Sequence, residues 1–185
     1  MKAFAAIVAA HVHGKSLPPV TVDMTIGDWT LSGRIDGVNE SGLACYRPAS
    51  LQPKDMLKIW ILHLVLNSRS PLSSVLIGKE LMQAYQPVKN SGVVLKELLA
   101  LYWRGLREPL RFFPRSSHAF AKATIEPDGR RDPQTQANAE WKDEQLNAYI
   151  DLAFRNVPEP LDIEWRELAL KVFGPLIKNR TETKL

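Results

Sequence analysis

A chain of 185 residues with 24 basic and 20 acidic side chains carries a net charge of +4. It is long enough for one domain with a real core, and its mild charge permits an acidic partner without demanding one. The single cysteine, Cys45, excludes an internal disulfide and fits a reducing, cytoplasmic compartment, and the lack of any run of about 18 apolar residues argues against a transmembrane helix and a membrane partner.

The opening stretch MKAFAAIVAAHVHG places Phe4, Val8 and Val12 on one side of an amphipathic helix. A lysine before a short apolar run also suits a signal peptide, but the run is Ala-rich and His11 and His13 follow it at once. Val20, Val22, Met24 and Ile26 alternate with Thr21, Asp23 and Thr25, the pattern of a half-buried strand. Gly27-Asp28 turns into a second strand, with Trp29, Leu31, Gly33, Ile35 and Gly37 on one side and Thr30, Ser32, Arg34, Asp36 and Val38 on the other. Asn39-Glu40-Ser41-Gly42 is rich in turn formers, and Leu43–Arg47 returns as a third strand that Pro48 stops. The pattern predicts three antiparallel strands in a row, with Asp36 inside the second.

Pro53 suits a first helical turn, and the segment to Asn67 is apolar on almost every side, as a helix buried across a sheet must be. His63 has no second histidine or carboxylate one turn away, so it reads as a hydrogen-bonded core histidine rather than a ligand. Ser73–Ile77 and Leu81–Tyr85 read as a second hairpin. Leu95, Leu98, Leu99 and Tyr102 give an amphipathic helix that Gly105 ends. Leu106–Arg115 is a loop with two phenylalanines and three arginines, after which Ser116 or Ser117 caps a short helix through Ala123. Glu126 to Pro133 is a charged linker in which Arg130 and Arg131 form a solvated turn. A helix runs from Thr135 to Phe154 with Trp141 and Leu146 inward. A last one carries Trp165, Leu168, Ala169, Val172 and Phe173 and stops at Gly174-Pro175, leaving a frayed tail from Lys178.

Asp36 is the first candidate site residue. In one large nuclease superfamily, an acid in a strand is followed by a second strand carrying an acid, a spacer and a lysine. The two carboxylates hold Mg²⁺ and the lysine steadies the attacking water or the phosphate. Here that second strand reads Cys45-Tyr46-Arg47-Pro48, with neither acid nor lysine, so Asp36 is left as a vestigial position with Cys45 and Arg47 where its partners would lie. One carboxylate makes a poor Mg²⁺ site. The plainer alternative for Asp36 is a hydrogen-bonding strand residue before a turn.

The segments LSGRIDGV, GLACYRPA, KDMLKIWILHL, LLALYWRGLREPLRFFPRSSHAFA and the terminal ELALKVFGPL resemble, in order, the C-terminal domain of RecC, the gamma subunit of exodeoxyribonuclease V. The FFPRSS stretch after a helix ending YWRGL is the most specific part. The resemblance implies one nuclease-like domain over residues 1–185, a C-terminal piece of a larger subunit. It implies an α/β fold with a PD-(D/E)xK restriction-endonuclease-like core, a mixed sheet with a central buried helix and flanking helices, and no catalytic residues of its own. It also implies RecB-like and RecD-like helicase subunits as partners, with duplex or forked DNA. No cofactor is expected in this domain, since the partners use ATP and Mg²⁺, and no Walker motif occurs in the chain.

Arg34 and Arg47 can grip phosphate beside the old cleft or make surface pairs with an acid. Arg104, Arg107, Arg111 and Arg115 crowd around Phe112 and Phe113. Such a mixture suits single-strand binding, but it equally suits two core phenylalanines with arginines reaching outward. Arg107, Arg111 and Arg115 join Arg34 and Arg47 as candidates for DNA or partner contact. The rival function is an active Mg²⁺ nuclease whose second acid has migrated to Glu80, Glu97 or, best placed, Asp55. A purely protein-binding scaffold is a third.

Overall fold

Alternating apolar and polar residues from Val20 to Ile35 close into a hairpin of their own. In the computed structural model, which describes residues 2–129 and 132–185, helix α1 (Lys2–His11) is followed by strands β1 (Val20–Ile26) and β2 (Trp29–Ile35), paired antiparallel as a two-stranded sheet. The predicted third partner is not there. Gly37 has φ +82°, a left-handed conformation suited to glycine, and a Cβ on it would lie 2.7 Å from the Ala44 carbonyl oxygen. The break reverses the alternation: Val38, grouped by pattern with Arg34 and Asp36, is only 5% exposed. Asp36 therefore sits in the gap between β2 and the next strand, not inside a strand.

After the gap, β3 (Val38–Asn39) and β4 (Gly42–Tyr46) begin a second sheet with β5 (Ser74–Ile77), β6 (Leu81–Tyr85) and β7 (Arg180–Lys184). The strand order is β3-β4-β5-β6-β7. β4 and β5 are parallel and all other neighbours antiparallel, so the fold is α/β with a mixed sheet. At Gly42 the chain comes so close to β5 that a Cβ would meet the Ser73 carbonyl oxygen at 2.2 Å.

A parallel pair requires a crossover, which α2 (Pro53–Asn67) provides within its predicted bounds. Met56, Ile59, Trp60, Leu64, Val65 and Leu66 are buried, and the Trp60 ring lies 6.0 Å from that of Tyr85 on β6. His63 is buried as predicted. Its Nε2 donates to the Gln86 carbonyl at 3.0 Å, which leaves Nδ1 to accept from the Ser74 hydroxyl at 2.7 Å. Burial holds its pKa below the ordinary 6.5, the Gln86 bond opposing the shift.

The tail read as frayed is strand β7. Its Arg180 is buried and donates from Nε to Glu182 at 3.0 Å. Gln83 donates to the same carboxylate oxygen at 2.8 Å, and the Tyr85 hydroxyl donates to Gln83 at 2.8 Å. Burial pushes the Tyr85 phenol well above its usual range.

The chain forms two compact units, residues 1–100 with 179–185, and residues 101–178. Helix α3 (Ser91–Gly105) carries the chain from the first to the second. The second holds α4 (Pro114–Ile125), α5 (Pro133–Glu144), α6 (Ala148–Phe154) and most of α7 (Ile163–Asn179) around a core of Phe113, Phe120, Ala137, Trp165 and Ala169. Three predictions are corrected there. α4 starts at Pro114, so Ser116 and Ser117 lie in its first turn rather than at its cap. The helix expected over 135–154 is two, because the Asn147 side chain accepts from the Tyr149 N–H at 3.0 Å and caps a new helix, leaving Leu146 78% exposed. α7 runs through Gly174-Pro175, where burial of Val172, Phe173, Leu176 and Ile177 offsets the helical bond that proline cannot make. Arg130 and Arg131 lie outside the described residues.

Candidate functional site

The three residues expected at the vestigial positions line the same cleft. Asp36, Cys45 and Arg47 line one cleft of about 320 Å³ in the first unit, with Gly37, Ala44, Tyr46, Asp55, Lys58, Ile59 and Leu76. The Gly37 break supplies Asp36, β4 and the residue after it supply Cys45, Tyr46 and Arg47, and the first turns of α2 supply Asp55 and Lys58.

Both carboxylates of the cleft face an arginine. Arg34 donates to Asp36 Oδ1 at 2.8 Å from Nη2 and 3.1 Å from Nε, in a pair whose side chains are each 67% exposed. Arg47 Nη1 donates to the two oxygens of Asp55 at 2.9 and 2.7 Å. Asp55 Oδ2 also accepts the Gln52 backbone N–H at 2.9 Å, which closes the first turn of α2. Asp55 is thus a helix-capping side chain as well as an ion-pair partner. Glu80 and Glu97 are exposed and do not line the cleft. Among the described residues, no group of three or more His, Cys, Asp or Glu side chains is placed to hold a metal ion. Burial pushes the Cys45 thiol up, and the neighbouring Lys58 only partly opposes this, which makes the thiol a weak nucleophile at neutral pH.

The arginine-rich loop lies in the second unit and is built differently. Phe113 is buried, its ring 4.5 Å from that of Trp141 and 5.1 Å from that of Phe154, while Phe112 stacks on Phe173 at 5.7 Å. Phe113 belongs to the core, and Phe112 is half-buried against Phe173. Arg104 pairs with Glu108 and Glu164, Arg111 with Asp162, and Arg115 with Glu140 at 2.8 Å and Asp143 at 3.5 Å. Arg107 lies over the Trp103 ring at 5.5 Å. Most of these acids come from residues 132–167, a segment with nine acids and three bases. Its Glu144 is 8% exposed and accepts from the backbone N–H groups of Arg115 and Ser116, each at 2.9 Å, and from the Ser116 hydroxyl at 2.6 Å. A buried carboxylate thus caps α4 from the end of α5, a role ordinarily filled by a neighbouring serine or aspartate.

Two lining residues, Lys58 and Tyr46, were missed by reading the sequence. Lys58 stands three residues after Asp55, a spacing that puts both on one helix face, so a signal for it was present.

The family model of the RecC C-terminal domain matches residues 1–125, which takes in the cleft and the arginine-rich loop. No curated protein matches the chain. The segment order, the mixed sheet with its crossover helix and a family match over about two thirds of the sequence agree: the chain belongs to the RecC C-terminal domain family.

Proposed function

We propose that this chain is a non-catalytic, nuclease-like domain of the RecBCD helicase–nuclease, related in fold to the PD-(D/E)xK nucleases. Family membership implies a role in the RecBCD complex, and with it in DNA repair and recombination. The observation that supports the non-catalytic reading is the pairing in the cleft. Mg²⁺ needs carboxylate oxygens free to coordinate, whereas Arg47 takes both oxygens of Asp55 and Arg34 takes Oδ1 of Asp36. On this reading the domain packs against RecB-like and RecD-like subunits, which supply ATP hydrolysis, Mg²⁺ and cleavage. It helps guide or split the entering duplex through backbone charge and shape rather than a base code.

A pull-down of the chain with RecB-like and RecD-like subunits, run beside forked-DNA binding and cleavage assays, tests this. The expected result is retention of the partners, binding of the fork, and no Mg²⁺-dependent cleavage by the chain alone. One observation favours a second reading: Asp55 shares the cleft with Asp36, as a migrated second carboxylate would. Cleavage that survives purification and vanishes in Asp36→Ala would establish that reading instead. Partner retention without any binding of the fork would favour a purely protein-binding scaffold.

A further inference from the structure

The two edges of the five-stranded sheet are finished differently. At one edge, β3 is short and buried, and the chain before it closes over it. The Leu17 N–H donates to the Val38 carbonyl at 2.9 Å, and Ser16 bridges to Asn39. At the other edge, β7 has β6 as its neighbour on one side, and Thr181 to Lys184 are exposed. The Leu185 N–H donates to the Glu80 carbonyl at 3.1 Å. Bonded positions alternate along an antiparallel ladder, so Thr183 and Thr181 also turn their N–H and C=O groups toward β6. Glu182 and Lys184 therefore turn theirs to the outer edge of the sheet.

We propose that β7 pairs with the β7 of a second copy of this chain, antiparallel about a two-fold axis, so that the two sheets become one. Residues that turn outward must be matched with each other, which leaves few registers. Glu182 opposite Glu182 also sets Lys184 opposite Arg180, and Lys184 opposite Lys184 repeats the fault, since like charges directly opposite repel. A register centred on Thr181 matches Arg180 with Glu182, but it sets Lys184 against the end of α7, where no strand continues. Thr183 opposite Thr183 sets Glu182 of each copy opposite Lys184 of the other, two complementary pairs related by the axis. The Glu182 carboxylate is held in place there by Arg180 and Gln83. Charged residues ordinarily keep an edge strand from pairing, but the Glu182-Thr183-Lys184 spacing makes β7 its own complement.

The test is sedimentation velocity of the whole chain over a range of concentrations in low salt, with amide hydrogen exchange on the same samples. The expected result is a monomer–dimer equilibrium in which the amides of Glu182 and Lys184 slow as dimer forms, while those of Thr181 and Thr183 are protected throughout. Lys184→Glu sets like charges opposite each other at both symmetry-related pairs and should weaken the dimer about tenfold. Lys184→Pro removes an N–H that points outward while sparing the ladder to β6, and should abolish the dimer with the melting temperature unchanged. Lys171→Glu, the same charge change at an exposed position on α7, should leave the dimer intact. A chain that stays monomeric at every concentration would overturn the proposal. So would a dimer that stays as tight in Lys184→Pro and Lys184→Glu as it is in Lys171→Glu.

Discussion

The two groups of arginines in this chain are neutralised in opposite senses. In the first unit, arginines cover carboxylates: Arg34 holds Asp36, Arg47 holds Asp55, and Lys58 remains. In the second unit, carboxylates cover arginines: Glu164 and Glu108 hold Arg104, Asp162 holds Arg111, and Glu140 and Asp143 hold Arg115. Formal charge along the sequence therefore misleads about where charge is available. The arginine-rich loop looks like the phosphate-binding element, yet Arg111 and Arg115 are spent on the acidic segment 132–167, and Arg107 lies over Trp103. The cleft looks like a depleted metal site, yet it keeps a cation and a ring.

This contrast can be broken most sharply at Glu144. Its carboxylate accepts three hydrogen bonds while nearly buried, so Glu144→Ala strands donors at the start of α4 and should cost about 3 kcal/mol. Urea unfolding reads this directly, and a loss below about 0.5 kcal/mol, the range of an ordinary surface substitution, would show that the cap is ornamental. Arg180→Ala comes next. It leaves Glu182 without its buried cation and should destabilise by about 2 kcal/mol. Hydrogen exchange should then speed in β7 before any other strand of its sheet.

Arg111→Ala sharpens the comparison between the units. It should cost about 1 kcal/mol at most, as a part-exposed ion pair does, and leave forked-DNA binding unchanged. A clear loss of forked-DNA binding in Arg111→Ala would return the arginine-rich loop to the role its composition suggests.

A pH-dependent effect belongs to the first unit. His63 has a folded pKa below its ordinary 6.5, so the unfolded chain binds more protons as pH falls through that value. Stability is fully present above that range and is lost as pH drops through and below it. Unfolding free energies at pH 7 and pH 5 should differ less in His63→Gln than in the unaltered chain. The smallest expected effect is that of Asp36→Asn on stability, within about 0.5 kcal/mol, because its pair is mostly solvated.

Much of this was legible in the sequence where local pattern and burial agree. The bounds of α2, the alternation of β1 and the core role of His63 follow from residues within a few positions of each other. The failures share a cause, which is dependence on distant partners. Nothing near Arg180 announces a strand, since its pairing residues on β6 lie almost a hundred positions earlier. Pro175 reads as a stop until the burial around it is known. Ser116 looks like a cap until Glu144 arrives from another helix to do that work. Gly37 differs, because a glycine after Asp36 is a visible chance for a break, and continued alternation masked it. In the cleft, the positions of Asp36, Cys45 and Arg47 could be read, but their neutralisation could not, because Asp55 joins them only through the fold.

The most direct test of the central claim is a Mg²⁺ titration of the unaltered chain, following melting temperature and cleavage of single-stranded and forked DNA in the same samples. With Asp36 and Asp55 held by arginines, the account predicts no saturable rise in melting temperature and no cleavage at any Mg²⁺ concentration. A saturable rise accompanied by cleavage, both abolished in Asp36→Ala, would contradict it and make the cleft a working metal site.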